Sequence, residues 1–159
     1  MKIDSVTLPI PHIQQRGSGD CLAACAAMVL TYLGLPTAYE QLLKLLQVKW
    51  FGTSSANIRQ LEKLGLTVIY KQGTLEELHN HLTNKRPCVA FVRTSELPYW
   101  NETGDHAVVV IGLDSDYIHL NDPAFAEAPI RVSHGDFDLA WLETAHRKDG
   151  GAEVKSGKK

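Results

Sequence analysis

Three residues of this sequence have types and positions that could perform chemistry together: Cys21, His106 and Asp122. A thiolate is a strong nucleophile, an imidazole can accept and return a proton near neutral pH, and a carboxylate can orient the imidazole. In contact, such groups would attack an amide carbonyl and form a thioester. Because the chain has three cysteines and seven histidines, the choice of these residues needs reasons.

Cys21 stands at the predicted start of an apolar helix, directly after the flexible stretch Gly17-Ser18-Gly19 and Asp20. The N-terminus of a helix carries partial positive charge and unpaired N–H groups, which favour a thiolate and can stabilise an oxyanion. The alternative is that Cys21 is a small core residue, because free cysteine is usually buried and inert. Cys25 is predicted to face the core, and Cys88 to be inert in a buried strand.

His106 opens the most apolar strand of the chain, so a rigid element would hold it as a general base. A structural role is the alternative. Asp122 ends the next predicted strand, directly before Pro123, where it could orient His106. An ordinary Asp-Pro turn is the alternative there. Three other histidines lie in polar or terminal segments and are expected to be solvated: His12, His134 and His146.

Metal binding is the other common use of cysteine and histidine. Cys21 and Cys25 are four positions apart and could share a helix face. However, no Cys-x-x-Cys or His-x-x-x-His motif completes a zinc site. The sequence also lacks a phosphate-binding loop, a dinucleotide fingerprint and a nucleophile-elbow serine. We therefore expect neither a metal ion nor a cofactor.

The sequence predicts helices in the first half of the chain and strands in the second half. Helices are predicted at residues 21–33, 37–46, 55–64 and 75–82. Strands are predicted at residues 67–71, 87–93, 107–113, 117–121 and 129–133, followed by a short helix at 137–142. Asp20 should cap the first helix through its carboxylate, and Thr74 with Glu77 should form a capping box. Helices first and strands second predict an α+β fold.

The size and composition of the chain fit one globular domain. It has 159 residues and a formal net charge of −2, and its basic residues are scattered. We therefore expect no nucleic-acid partner. No apolar stretch reaches the roughly 20 residues of a membrane span, so we expect no membrane span and place the protein in the cytoplasm. Residues 1–145 are predicted to form the domain, and residues 146–159 a disordered tail.

Four stretches together resemble the bacteriocin-processing (C39-like) peptidases of the papain-like superfamily. They are IPHIQQ at residues 10–15, Asp20-Cys21 with the helix through Gly34, DHAVVVIG at 105–112 and NDP at 121–123. The resemblance implies a papain-like fold in which N-terminal helices pack on a mainly antiparallel sheet. It implies that Cys21 is the nucleophile, His106 the base and then the acid, and Asp122 the orienting group. Gln15 would share the oxyanion with the Cys21 N–H, with Gln14 as its rival.

The chain also departs from this family in two respects. Leu22 stands where these peptidases usually have glycine, so a side chain there could narrow the approach to the thiol. The sequence carries no membrane spans or ATPase, so we expect a free-standing domain. Loops at 52–57 and 95–104 are expected to line the groove, and Tyr99-Trp100 to pack or to form a substrate wall.

The expected activity is hydrolysis of a peptide or protein amide through a thioester. The same residues could instead serve an acyltransferase or a deamidase, because the intermediate is shared and only the acceptor differs. A non-catalytic module that binds peptides in the groove is the alternative from another functional class.

Overall fold

The computed structural model describes residues 3–148 of the chain. Helices pack against a seven-stranded sheet in which every strand pair is antiparallel. The α+β fold predicted from the order of the elements is therefore confirmed. None of the helices within residues 3–148 is both long enough and apolar enough to cross a lipid bilayer.

The helices begin and end close to their predicted positions. They are α1 (Cys21–Tyr32), α2 (Tyr39–Leu45), a 3-10 helix (Ser55–Leu64), α3 (Leu75–Thr83) and α4 (His134–Ala140), with a short 3-10 turn at Thr94–Glu96. Gly65 ends the long 3-10 helix at φ +95°, a conformation that glycine adopts without strain. The predicted capping box is confirmed, since Glu77 N donates to Thr74 Oγ1 at 3.1 Å and Thr74 N donates to Glu77 Oε1 at 3.0 Å.

The helix predicted at residues 55–64 is present at Ser55–Leu64 and is of the 3-10 type. One helix prediction needs correction. The last helix begins at His134 rather than at residue 137, because the Ser133 hydroxyl accepts the Asp136 N–H at 3.1 Å and so starts the helix earlier.

The sheet places its central apolar strand, which is also its longest, between two shorter neighbours. Its strands are β1 (Val6–Thr7), β2 (Val68–Lys71), β3 (Cys88–Arg93), β4 (Asp105–Leu113), β5 (Tyr117–Asn121), β6 (Ile130–Ser133) and β7 (Trp141–Arg147). Their order is β2-β7-β3-β4-β5-β6, and β1 also pairs with β4. Residues 107–113 of β4 are all buried, as an unbroken apolar run predicts.

Two strands were missed from the sequence. β1 is only a pair of residues, too short for an alternating pattern to reveal. β7 continues directly from α4 and pairs with both β2 and β3. β7 includes His146 and Arg147, the first two residues of the segment predicted as a tail. The rest of the predicted tail, from residue 149, lies outside the described residues.

Helix α1 forms the centre of the core. Every residue from Leu22 to Leu30 is buried, and the helix packs against β4 and β3. A helix that is apolar on all sides is stable only inside the protein, because burying each large aliphatic side chain contributes about 1.5–3 kcal/mol. The first residue of α1 is half-buried and faces the start of β4, where the candidate site lies.

Candidate active site

The structure brings Cys21, His106 and Asp122 together as one series. His106 Nε2 lies 2.7 Å from Asp122 Oδ1, and Cys21, which lines the same cavity as His106, interacts with the imidazole and raises its pKa. Because Nε2 is engaged with the carboxylate, Nδ1 is the ring nitrogen left for the thiol. The His106 side chain is 7% exposed and the Asp122 side chain 0%, so the imidazole–carboxylate pair is shielded from water.

The pairing of β4 with β5 explains why His106 and Asp122 meet. His106 lies near the start of β4, and Asp122 directly follows the last residue of β5. These strands are antiparallel neighbours, so the start of β4 lies beside the end of β5. Helix α1 crosses the same region and presents Cys21 from its N-terminus.

The helix N-terminus at Cys21 is arranged differently from the prediction. Asp20 occupies the N-cap position, but its side chain makes no capping hydrogen bond among the described residues. Its carboxylate instead accepts the Gly17 N–H at 2.8 Å and the Tyr39 hydroxyl. The sequence-based expectation that Asp20 caps α1 is therefore wrong. As a result the N–H groups of the first turn are not taken up by this carboxylate and can serve an oxyanion.

Both oxygens of Asp122 are hydrogen-bonded. Oδ1 accepts the Ala124 N–H at 3.0 Å in addition to His106. Oδ2 accepts the Tyr99 hydroxyl at 2.7 Å and Trp100 Nε1–H at 3.0 Å. Tyr99-Trp100 were expected from the sequence to pack or to form a substrate wall, and their contact with Asp122 was not predicted. One available signal was that buried tyrosine and tryptophan usually find a partner for their polar atom.

The charges of the pair stabilise each other. Burial alone lowers the pKa of His106, but hydrogen bonds to Asp122 and Cys21 outweigh it and raise that pKa from 6.5 to about 9. Burial raises the pKa of Asp122, but the hydrogen bond with His106 and its charge outweigh burial and lower that pKa. An imidazolium beside a carboxylate is therefore the favoured state at neutral pH.

The other cysteines are in unreactive environments, as predicted. Burial raises the pKa of Cys25 well above its usual range, and the nearby Cys21 and Asp122 raise it further. Burial raises the pKa of Cys88 to about 12. Both thiols are buried, whereas Cys21 is half-buried. Within residues 3–148, no group of three or more His, Cys, Asp and Glu side chains has an arrangement that could hold a metal ion.

Gln15 lies on the loop that precedes Cys21. Its backbone N–H donates to Pro123 O at 2.8 Å, which links this loop to the turn after Asp122. Its side-chain Nε2 donates to Gly17 O at 2.8 Å and to Ser18 O at 3.3 Å, so both amide hydrogens stay within the loop. Gln14, the predicted rival, is exposed.

A cavity of about 410 Å³ opens beside Cys21 and His106. The predicted loop 52–57 contributes Thr53, Ser54 and Ser55 to its lining, and Glu143 of β7 adds a carboxylate. The other predicted loop, 95–104, instead places Tyr99 and Trp100 on Asp122. Leu22 also lines the cavity, but it is only 2% exposed and packs in the core.

Known proteins resemble this chain over a region that includes the candidate site. Residues 9–146 match the model of the peptidase C39 family. The chain is also 31% identical over 131 residues to the lactococcin-G-processing and transport ATP-binding protein LagD of Lactococcus lactis subsp. lactis. That match covers 81% of this chain but 17% of the relative, so the chain spans about a sixth of the length of this curated relative.

Solved structures share the fold. A putative C39-like peptidase from Bacillus anthracis superposes with a TM-score of 0.76 at 18% identity, over 92% of this chain and 98% of its own. The peptidase domain of Streptococcus ComA, a bifunctional ABC transporter of a quorum-sensing pathway, gives 0.71 at 22% identity, over 86% and 96%. A double-glycine motif protease of an AMS/PCAT transporter, in complex with its leader peptide, gives 0.71 at 22%, over 93% and 98%.

Proposed function

This chain belongs to the peptidase C39 family, and from that premise we propose that it is a cysteine peptidase that cleaves a peptide or protein amide. The observation that carries the proposal is the series Cys21–His106–Asp122 at the wall of an open cavity. A nucleophile, a base in contact with it and a group that orients the base are the parts that acyl transfer requires.

The first step is attack by Cys21 on the substrate carbonyl. Because the pKa of His106 is about 9, the imidazole holds its proton at neutral pH and stands ready as an acid. The thiolate forms a C–S bond, and the carbonyl electrons move onto oxygen. The C–N bond then breaks as His106 donates its proton to the departing amine, and a thioester remains on Cys21.

The oxyanion formed in this step needs hydrogen-bond donors. The N–H groups at the start of α1 are suitable, because Asp20 turns its carboxylate towards Gly17 and Tyr39 and does not cap them. Gln15 is the proposed side-chain donor. Its contact with Ser18 O is the longer of its amide hydrogen bonds, at 3.3 Å, and would be the one exchanged for the oxyanion.

The second step releases the acyl group. The imidazole is neutral after it has protonated the amine, so it can take a proton from water while the water oxygen attacks the thioester. The carboxylic acid leaves, and the proton on His106 and the thiolate on Cys21 are restored. Cytoplasmic location fits this chemistry, because thiols stay reduced there.

Peptide cleavage by the wild type and by Cys21→Ala tests the proposal. A peptide library that includes members with a double-glycine motif would be digested and analysed by mass spectrometry. We expect cleavage by the wild type and none by Cys21→Ala, while Cys25→Ala and Cys88→Ala retain cleavage. Iodoacetamide at neutral pH should modify Cys21 first, because Cys25 and Cys88 are buried.

Two results would contradict the proposal. One is cleavage by purified Cys21→Ala at the wild-type rate. The other is preferential alkylation of Cys25 or Cys88 in the folded protein. Adding amines as competing acceptors during the digestion separates hydrolysis from acyl transfer, because transfer would give an amide product in place of the free acid.

A further inference from the structure

The carboxylate of Asp122 is bound on four sides although it is fully buried. His106 Nε2 and the Ala124 N–H meet Oδ1, while the Tyr99 hydroxyl and the Trp100 indole N–H meet Oδ2. A buried carboxylate without partners would be strongly destabilised in its charged form. The donors on Oδ2 come from neither the strand nor the turn that carries Asp122, so a separate segment supplies them.

That segment is the loop from Thr94 to Gly104, and it is closed at its base. Thr94 is 2% exposed, and its hydroxyl donates to Glu102 O at 2.6 Å and accepts the Gly104 N–H at 2.9 Å. Within the loop, Leu97 is 1% exposed and accepts the Trp100 N–H at 3.1 Å. A loop fixed at both its base and its middle can hold two side chains at defined positions.

Aromatic contacts enclose the same carboxylate. The Trp100 ring packs against the His106 imidazole with centroids 4.9 Å apart and an interplanar angle of 66°. Phe125 contacts the rings of Tyr99 and Trp100, each at a centroid distance of 5.2 Å. The rings therefore cover Asp122 and hold water away from its hydrogen bond to His106, which strengthens that bond.

We propose that Tyr99 and Trp100 are positioning residues for the peptidase reaction: they hold Oδ2 of Asp122 so that Oδ1 stays on His106 Nε2. This inference rests on the proposed function. A carboxylate held through one oxygen alone can rotate, and its rotation would release the imidazole from the orientation that faces Cys21. Donors on both oxygens prevent that rotation and also keep the carboxylate charged.

The donors suit this role across a wide pH range. An indole N–H does not titrate, and burial, together with the charge of Asp122, raises the pKa of Tyr99 far above its usual range. The other titratable groups that interact with Asp122 are His106 of β4 and Cys25 of α1. Cys25 keeps its proton because burial raises its pKa. His106 is therefore the interacting group whose charge changes with pH.

Tyr99→Phe and Trp100→Phe remove one donor each and keep an aromatic ring. We expect each to lower kcat by roughly 10- to 100-fold, the effect of losing a hydrogen bond to a charged group. KM should stay within about twofold, since the cavity lining does not include either residue. Losing a donor raises the pKa of Asp122, so the acid limb of the kcat/KM profile should move to higher pH.

The direct measurement is a carboxyl ¹³C NMR titration of Asp122, assigned by comparison with Asp122→Asn. It reports on the carboxylate whether or not the protein cleaves a peptide. Tyr117→Phe and Trp141→Phe are matched controls: Tyr117 is partly exposed on β5, and Trp141 Nε1 has no partner among the described residues. Neither control should move the titration or the acid limb.

The outcomes separate the inference from the proposed function. If the wild type cleaves but Tyr99→Phe and Trp100→Phe keep its kcat and acid limb, the inference is wrong and the peptidase proposal stands. If the variants only lose stability, with an unmoved titration of Asp122, the pair is structural and the inference is again wrong. If the titration moves as expected but the wild type cleaves nothing, the role of Tyr99 and Trp100 in holding Asp122 is supported and the peptidase proposal fails.

Discussion

At the scale of single residues, the charge state of His106 decides what the site can do. Burial disfavours the imidazolium, so its stability depends on the hydrogen bonds to Asp122 and Cys21. The pKa of His106 is about 9, and the proton needed by the leaving amine is therefore present at neutral pH. It is lost as the pH rises through 9, which places an alkaline limb on the rate of acylation.

Asp122→Asn should move this alkaline limb to lower pH. The substitution removes the negative charge that favours the imidazolium, while burial continues to disfavour it. Both effects act in the same direction, so we expect the limb to fall by at least about one pH unit. The measurement is the pH profile of kcat/KM, together with an NMR titration of the imidazole.

Asp114→Asn is the matched control for this prediction. Asp114 also pairs with a histidine, with Oδ2 at 3.0 Å from His119 Nε2, on the surface turn between β4 and β5. Its loss should leave the alkaline limb at the wild-type position. An unchanged limb in Asp122→Asn would show that the carboxylate does not support the proton on His106.

The members of the Cys21–His106–Asp122 series could be picked from the sequence because each lies at the end of a recognisable element. A helix start, the head of an apolar strand and a strand end are visible in residue patterns. Tyr99 and Trp100 could not be assigned, since their role depends on a loop whose path is set by Thr94 and Leu97. The hydrogen-bond partner of the Asp20 side chain could not be predicted either, because Tyr39, which donates to it, belongs to another helix.

At the scale of elements, a tight contact fixes the start of α1. Lys49 and Gly52 exchange backbone hydrogen bonds of 2.9 and 3.0 Å and form a small hairpin, which packs against Gly19. A Cβ on Gly19 would lie 2.6 Å from Trp50 O and 2.7 Å from Gly52 N. Both are backbone atoms, which cannot turn aside as a flexible side chain could.

Gly19→Ala should therefore disturb the site as well as the fold. Either the hairpin or the loop before Cys21 must shift, and overpacking of this kind costs about 1–3 kcal/mol of stability. A displacement of the nucleophile of about 1 Å can lower the rate by 10²-fold, so we expect a loss of that order in kcat/KM. Urea unfolding and peptide cleavage measure the two effects separately.

Gly104→Ala provides the comparison. Gly104 precedes His106 by the same two positions that separate Gly19 from Cys21. A Cβ there has nothing within 4 Å, so Gly104→Ala should keep both stability and activity near the wild type. Equal behaviour of the two variants would show that the hairpin does not fix the position of Cys21.

The type of an element could be predicted where the sequence carries a strong local signal. It could not be predicted where hydrogen-bond partners distant in the sequence determine the structure. The capping box at Thr74 and Glu77 is a local feature, and it is present. The strand Trp141–Arg147 has no clear alternation, and it exists because β2 and β3 offer it hydrogen-bond partners on both sides. Pairing of that kind cannot be seen in one segment alone.

At the scale of the whole molecule, the N-terminal segment connects the far end of the sheet to the site. Its strand β1 pairs with the end of β4, where Thr7 lies opposite Gly112. Further along, Ile10 O accepts the Asn121 side-chain amide at 3.1 Å. The segment then reaches Gln15, whose N–H donates to Pro123 O at 2.8 Å. One continuous chain thus runs along β4 and β5 before it forms the loop that leads to Cys21.

Gly112→Ala tests whether this pairing supports the site from a distance. A Cβ on Gly112 would lie 2.6 Å from Val6 O and 3.1 Å from Thr7 Cα, so β1 must move away from β4. We expect a loss of about 1–3 kcal/mol in the free energy of unfolding, measured with urea. Hydrogen exchange should become faster at the Leu8 N–H, which donates to Ile111 O at 2.7 Å.

The effect on catalysis distinguishes a local from a coupled role of β1. If the N-terminal segment positions Gln15, kcat/KM of Gly112→Ala should fall under conditions where the protein is fully folded, although Gly112 lies at the opposite end of β4 from His106. Gly135→Ala is the control, because a Cβ at that helical position has nothing within 4 Å and alanine favours helix. Full activity in a destabilised Gly112→Ala would confine the role of β1 to stability, since the loop before Cys21 would then hold Gln15 without help from the sheet.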